Sequence, residues 1–348
     1  MGAFNFGVGA TNYNGEVLEE LLTLTAQTNQ TFSEKLIHVK PQIQKKFTLP
    51  SVKLGKIIQD RKPTPDTSEG TYTFGERYLE PQDFMIYVEF DPRDFEQYYK
   101  PFQPHGNLVF RELDPSVQAT MIRLLMEGKD EYIDNAIWRS AKAAEKAKIT
   151  AAASAAASDI GGDNEYGPMK YWNGAIDRML FNANSTDEAE LHMGKVNITG
   201  TTTFADGAAV EAELYKMWKA LPVKLRNSPG LKFLMDWSSW DAYDQYLTAK
   251  ENKYVDNTTV NVRTFKGKRI VPLTALPDNT IILGKFTDGR DSNLWMSVDV
   301  ANDINALQVE KLQANSELYF FKALMKVDVN IVKPGEIVAH LPYTYTAG

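Results

Sequence analysis

The stretch that decides the fold is Glu317–Tyr343, ELYFFKALMKVDVNIVKPGEIVAHLPY. Within it Tyr319, Phe321, Ala323, Met325, Val327, Val329 and Ile331 are apolar and share one parity, while Lys322, Lys326, Asp328 and Asn330 hold the other. Successive strand side chains point to opposite faces, so this spacing predicts a strand with one buried and one solvated face. The alternation runs through 13 residues, against a usual strand of ~5–6. So long a strand needs partners along its length, and the rest of the chain must supply them.

Upstream lies a compact mixed block. Ile270-Val271-Pro272-Leu273 and Ile281-Ile282-Leu283-Gly284 read as strands around a Pro277-Asp278-Asn279 turn. Asp206 is placed to cap a helix with Val210, Leu214, Trp218 and Leu221 on one face before Pro222. Leu231–Met235 reads as a short apolar strand, and Ser238 to Asp241 has capping-box spacing for a further helix. Met169–Phe181 is helix-like, with Gly174 inside it.

Further back, Asp114-Pro115 is a strong helix start, and apolar residues at helical spacing carry the pattern to Trp138. Such a helix is ~37 Å long at ~1.5 Å per residue. Two readings are open for the alanine-rich Ala141–Ser158: continued helix, or a low-complexity surface segment. Gly161-Gly162-Asp163 breaks whatever precedes it.

Gln59–Gly70, QDRKPTPDTSEG, is the most polar segment, with strand-like runs at Lys56–Ile58 and Thr71–Phe74 on either side. The simplest object is a long two-stranded excursion with a charged tip; Phe84, Ile86, Val88 and Phe90 continue at period two. An isolated hairpin is marginal in water, so a projecting one needs a surface to lie on, such as a neighbouring subunit. Between Lys35 and Ile58, Pro41 and Pro50 favour an edge strand or an arm. Gly15–Thr28 reads as a short amphipathic helix behind a small-residue arm at 1–14.

Composition excludes much. The 348 residues contain 43% hydrophobic and 24% charged side chains, which is globular, and no cysteine. Disulfides, thiolate metal sites and a cysteine nucleophile are therefore absent. A formal charge of −7 gives no net attraction to DNA. The start lacks signal-peptide regions, Phe6 breaks a myristoylation pattern, and the Asn-x-Thr matches read as chance. His38, His105, His192 and His340 are scattered and form no zinc motif. Gly7-Val-Gly9 lacks the third glycine of a dinucleotide loop, and Asp288–Asp291 lacks a calcium loop's alternating ligands. Asp130-Glu131 and Asp163-Asn164-Glu165 read as solvated positions. Trp237, Trp240, Tyr243 and Tyr246 could stack on sugars, but Trp240, Tyr243 and Leu247 at helical spacing fit a buried face better. No catalytic, cofactor or metal site emerges.

The order of elements resembles the major capsid proteins of tailed bacteriophages, whose fold is shared with encapsulins and the herpesvirus capsid floor. The residues that carry the resemblance are Thr71–Phe102, similar to the end of the family's extended loop, and Asp114–Ala141, similar to its spine helix. Tyr171–Leu180 is similar to the helix opening the central block. Phe265–Asp299 followed by Glu317–Tyr343, with Pro334-x-x-Ile337-Val338, is similar to the family's end, where a strand pair precedes the long terminal strand.

The resemblance implies an α+β capsid fold: an N-terminal arm at 1–45, an extended loop at 46–83, and a peripheral domain with the spine helix at 84–164. An axial domain at 165–290 and a return to the peripheral domain at 291–348 would follow. It also implies hexamers and pentamers closing an icosahedral shell around double-stranded DNA, made in the host cytoplasm and ending in the virion. Portal and decoration proteins would be partners, with no membrane and no cofactor. Some members begin with a long helical scaffolding segment; here the arm starts at Met1, so a separate scaffolding protein is expected. Some members form Lys–Asn cross-links, but nothing distinguishes Lys53, Lys56 or Lys62, and none is assigned. At the loop tip Arg61 and Lys62 face Asp66 and Glu69 in sequence, a pattern suited to a salt-dependent inter-subunit contact. An encapsulin-type compartment and a carbohydrate-binding or glycoside-processing protein are the alternatives.

Overall fold

The computed structural model describes residues 11–12, 29–58, 60–61, 70–91, 115–152, 155–249, 263–299, 307–313 and 318–346. The first part holds β1 (Thr11–Asn12), α1 (Gln30–Ser33), β2 (His38–Pro41), β3 (Phe47–Leu54), β4 (Tyr72–Leu79) and β5 (Gln82–Phe90). Then come α2 (Pro115–Arg139), α3 (Ala143–Lys146), β6 (Ile149–Ala151), β7 (Asp163–Asn164), β8 (Gly167–Pro168), α4 (Ala175–Asn184) and α5 (Glu188–Leu191). The block that follows contains β9 (Asn197–Gly200), α6 (Gly207–Ala220), β10 (Leu231–Asp236), α7 (Trp237–Ala249), β11 (Thr264–Phe265), β12 (Lys268–Leu273) and β13 (Ile281–Lys285). The chain finishes with β14 (Leu294–Asp299), β15 (Leu307–Lys311), β16 (Tyr319–Ile331), β17 (Val338–His340) and β18 (Tyr343–Tyr345).

β16 is the 13-residue strand that the alternation predicts. One edge pairs with β5 from Tyr319↔Phe90 to Val327↔Gln82. The other edge is shared by β15, from Lys311↔Tyr319 to Leu307↔Ala323, and by β14, from Asp299↔Lys326 to Leu294↔Ile331. β2 adds to β14 in parallel and closes the sheet, so Pro41 does stand on an edge strand. Phe321, Ala323, Met325, Val327, Val329 and Ile331 are buried in the main core with Ile133, Ile137, Trp138 and Trp172. The other parity departs from expectation: Asp328 and Asn330 are buried, because the base of the β3–β4 hairpin covers them.

α2 spans 25 residues and stops at Arg139. Its exit is captured by other segments: Gly161 N–H donates to Arg139 O at 2.7 Å, and Gly174 N–H to Ser140 O at 2.6 Å. The alanine-rich tract therefore does not continue the helix, and past Ala141 its described residues are exposed or half-buried, as on a surface segment. It divides into α3, β6 and a 3₁₀ turn at Ala157–Asp159, with Ala141 buried in the core. Asp114, the expected cap, lies outside the described residues, as do the expected helix at 15–28 and His105. α4 begins at Ala175, six residues later than Met169, and Gly174 is its cap. A Cβ at Gly174 would sit 2.9 Å from Trp138 O and Ser140 N, so the helix can start there only on glycine.

The second sheet runs β11-β12-β10-β13-β17-β9. Its strands β12 and β13, expected around one turn, do not pair; β10 lies between them, parallel to β12 and antiparallel to β13. α6 is capped as expected, with Asp206 accepting from Ala209 N–H at 2.9 Å. α7 is capped by Asp236, not by Ser238: Asp236 Oδ2 accepts from Ser239 N–H at 2.9 Å and from the Ser238 hydroxyl at 2.8 Å. Val210, Leu214, Met217, Phe233, Trp240 and Tyr243 pack as a second core beneath these helices.

Candidate assembly interface

β3 and β4 form an antiparallel ribbon from Phe47↔Leu79 to Leu54↔Tyr72, extended by Gly55 N–H donating to Thr71 O at 2.9 Å. Among the described residues it pairs with no other strand. The predicted strand runs sit a few residues off: pairing ends at Leu54, and Lys56–Ile58 is irregular. Side chains one register apart face opposite ways, so the two sides of the ribbon differ.

The inner side is anchored. Leu49, Arg77 and Leu79 are buried at its base. Arg77 Nη1 donates to Ile331 O at 2.8 Å and to Asn330 Oδ1 at 3.3 Å, while Nη2 pairs with the Glu190 carboxylate. Burial pulls the Arg77 guanidinium below its usual range, and Glu190 opposes that fall. Asn330 Nδ2 donates back to Tyr78 O at 2.7 Å, and Asp328 Oδ2 accepts from Glu80 N–H at 2.8 Å. Burial also raises Asp328 above the normal carboxylate range, with Arg178 opposing from 3.4 Å. These polar groups on the outer parity of β16 fasten the hairpin to the body.

The outer side is apolar and bare. Val52, Leu54, Tyr72 and Phe74 form two directly opposed pairs, and Tyr72 and Phe74 are 69% and 75% exposed. Beyond the paired region Ile57 and Ile58 are exposed as well, Ile58 at 89%. Such an exposed apolar cluster is a candidate interaction surface. Sequence reading found the hairpin but put its contact at the charged tip. Arg61 is exposed there; Lys62, Asp66 and Glu69 lie outside the described residues. The missed signal was the parity of Val52, Leu54, Tyr72 and Phe74 across the turn.

A second uncovered region lies on the main sheet. Met85 and Tyr87 of β5 and Leu324 of β16 are exposed on its outer face, with Met85 opposite Leu324. On the inner side a groove of about 340 Å³ separates β5 from α2, lined by Phe84, Ile86, Val88, Leu125, Tyr132 and Tyr166 among others.

Among the described residues the candidate enzymatic constellations do not assemble. Among the described residues no group of three His, Asp or Glu could hold a metal, and no helix is long and apolar enough to cross a membrane. His38 bonds Asp288 O at 2.7 Å against Trp295; His340 bonds Thr202 O at 2.7 Å and faces Glu213 at 3.1 Å; His192 packs on Gly75. Trp240 and Tyr243 are core residues, as their spacing indicates, so the Trp237–Tyr246 series does not form a solvent-facing platform. Asp130 is buried beside Lys129 at 3.2 Å, contrary to its solvated reading.

No protein-family model matches the chain, and no curated protein matches it. Solved structures do. The chain is similar to one from a satellite phage P4 procapsid that includes the size determination (Sid) protein, at a TM-score of 0.59 and 9% identity, covering 96% of this chain and 93% of that one. It is similar to a cyanophage A-1(L) capsid chain at 0.54 and 13%, covering 96% and 97%. It is also similar to a native GTA particle capsid chain at 0.51 and 13%, covering 92% and 91%. The chain has the capsid fold of the tailed phages, over nearly its whole length.

Proposed function

We propose that this protein is the major capsid protein of a tailed phage. It is a structural subunit, not an enzyme, and assembles with copies of itself into hexamers and pentamers that close an icosahedral shell around double-stranded DNA. The observation that carries this reading is the β3–β4 ribbon: clamped on one face, apolar and uncovered on the other, on a fold otherwise found in capsids. A monomer gains nothing by holding such a face in water. In a shell, each copy can lay it on a neighbour.

The domain partition follows from the same reading: arm 1–45, extended loop 46–83, peripheral domain 84–164, axial domain 165–290 and return 291–348. Portal, a separate scaffolding protein and decoration proteins are the expected partners, and assembly takes place in the host cytoplasm. Arg61, Lys62, Asp66 and Glu69 add a salt-sensitive contact at the loop tip, each exposed pair contributing only ~0–1 kcal/mol. The net charge of −7 suits a wall that encloses DNA without binding its sequence.

Electron microscopy of the chain expressed alone and with a scaffolding protein tests the proposal. Closed shells are expected. Small monodisperse species under both conditions refute it, and shells filled with a cargo protein in place of DNA favour the encapsulin-type compartment.

A further inference from the structure

Gly75 stands mid-strand in β4, where glycine weakens a sheet and marks the close approach of another group. That group is His192, just beyond α5. A Cβ at Gly75 would lie 2.2 Å from His192 Cδ2 and 2.4 Å from Cγ, far inside the 3.4 Å of ordinary contact. His192 Nε2 meets no hydrogen-bond partner among the described residues, so packing alone places the ring. Two residues along, Arg77 ties the same strand to Glu190 of α5 and to Ile331 of β16. The α5 segment is itself fixed to α4, where buried Asn182 donates to Glu190 O at 3.0 Å and accepts from Val196 N–H at 2.9 Å. The hairpin thus leaves the body between two stops, one steric and one ionic.

We infer that Gly75, Arg77, Glu190 and His192 are positioning residues that set the angle at which the hairpin presents its apolar face. This rests on the capsid reading only for the use made of that angle. The geometry works as a lever. From Leu79 to Gly75 is ~13 Å and from Leu79 to Thr73 ~20 Å, at ~3.3 Å per residue. Restoring 3.4 Å contact at a new Cβ moves the strand by about 1.2 Å at Gly75, which becomes about 2 Å at Lys53, the partner of Thr73, and more at the tip.

The chain has no native cysteine, so Lys53→Cys and Ala212→Cys accept a nitroxide pair without competition. Distances are measured by pulsed EPR on the full chain, with labelled copies diluted in unlabelled ones. Gly75→Ala should shift the hairpin-to-body distance by about 2 Å or broaden it, with little loss of thermal stability, and should give aberrant shells. Gly75→Ala with His192→Ala should return both readouts toward the parent. If Gly75→Ala alone fails to fold, Glu190→Gln tests the ionic stop by the same distance. An unchanged distance in Gly75→Ala, or no recovery in the double variant, overturns the inference. Normal shells from a chain whose hairpin has moved also overturn it. Variants that show these distance changes, from a parent that never forms shells, refute the capsid reading and leave the positioning role standing.

Discussion

Replacing Tyr72 and Phe74 with serine separates assembly from folding. Fully burying a side chain of this size contributes ~1.5–3 kcal/mol. At 69% and 75% exposure, docking of the hairpin can still gain about 1.5 and about 2 kcal/mol from the two rings. The loss is therefore about 3.5 kcal/mol per contact, or about 300-fold in affinity at ~1.4 kcal/mol per tenfold. Among the described residues the two rings stand in the cross-strand pairs Leu54↔Tyr72 and Val52↔Phe74, worth ~0.2–1 kcal/mol each. Tyr72→Ser/Phe74→Ser should thus melt within a few degrees of the parent, yet need a far higher concentration to assemble, followed by light scattering and sedimentation. Assembly at the parent's concentration refutes the reasoning. So does a collapse in melting temperature, which would mean that the face is covered inside the subunit.

Deleting Arg61–Glu69 should leave soluble, folded subunits with impaired shells; normal particles on electron micrographs would remove the tip from the interface. Asp177 is buried with neither carboxylate oxygen hydrogen-bonded among the described residues, and burial raises it to about 7 against the opposing Arg178. The native state then keeps this proton to higher pH than the unfolded chain, so its contribution is intact below pH ~4 and is lost as pH rises through about 7. Asp177→Asn should be neutral at pH 4 and stabilising at pH 8 by up to about 4 kcal/mol, and denaturant melts with equal midpoints at pH 8 would contradict this. Glu213 shows the opposite sign. Burial resists its ionisation, but His340, Thr199 and Lys216 outweigh burial and bring it to about 2, so its contribution persists in acid until that pH. Glu213→Gln should lose stability above pH ~4.5 and converge on the parent near pH 2, checked by the same melts. Trp240→Ala should lower stability by about 3–5 kcal/mol as a core truncation; loss of glycan binding at unchanged melting temperature would instead restore the sugar-platform reading.

What could be read in advance was whatever a local period records. The alternation of β16, the helical spacing of α2 and α6, and the Asp206 cap depend on neighbours within a few positions. Pairing order does not. β10 lies between β12 and β13, and at its end Asp236 accepts from Thr280 N–H at 3.0 Å, a contact 44 positions apart. The start of α4 depends on how closely Gly174 meets the end of α2, again a distant partner. Parity alone assigns Asp328 and Asn330 to water, and the hairpin base that covers them is remote in sequence. The bare face of the ribbon escapes sequence reading for the converse reason: an apolar parity implies a buried face, and this one stands exposed. The four residues named for the tip contact stay a proposal, three of them lying outside the described residues.

The clamp on the hairpin also orders events during synthesis. Arg77 reaches Asn330 across 253 positions, so the ribbon leaves the ribosome long before the strand that fastens it. Until β16 is made, the ribbon lacks the Asn330 and Ile331 half of its mount. A polypeptide that stops early, or is clipped before Asp328, keeps the adhesive face but loses the mount that aims it. If the proposed function holds, such copies would be kept from a growing lattice by their own geometry, with no dedicated factor needed.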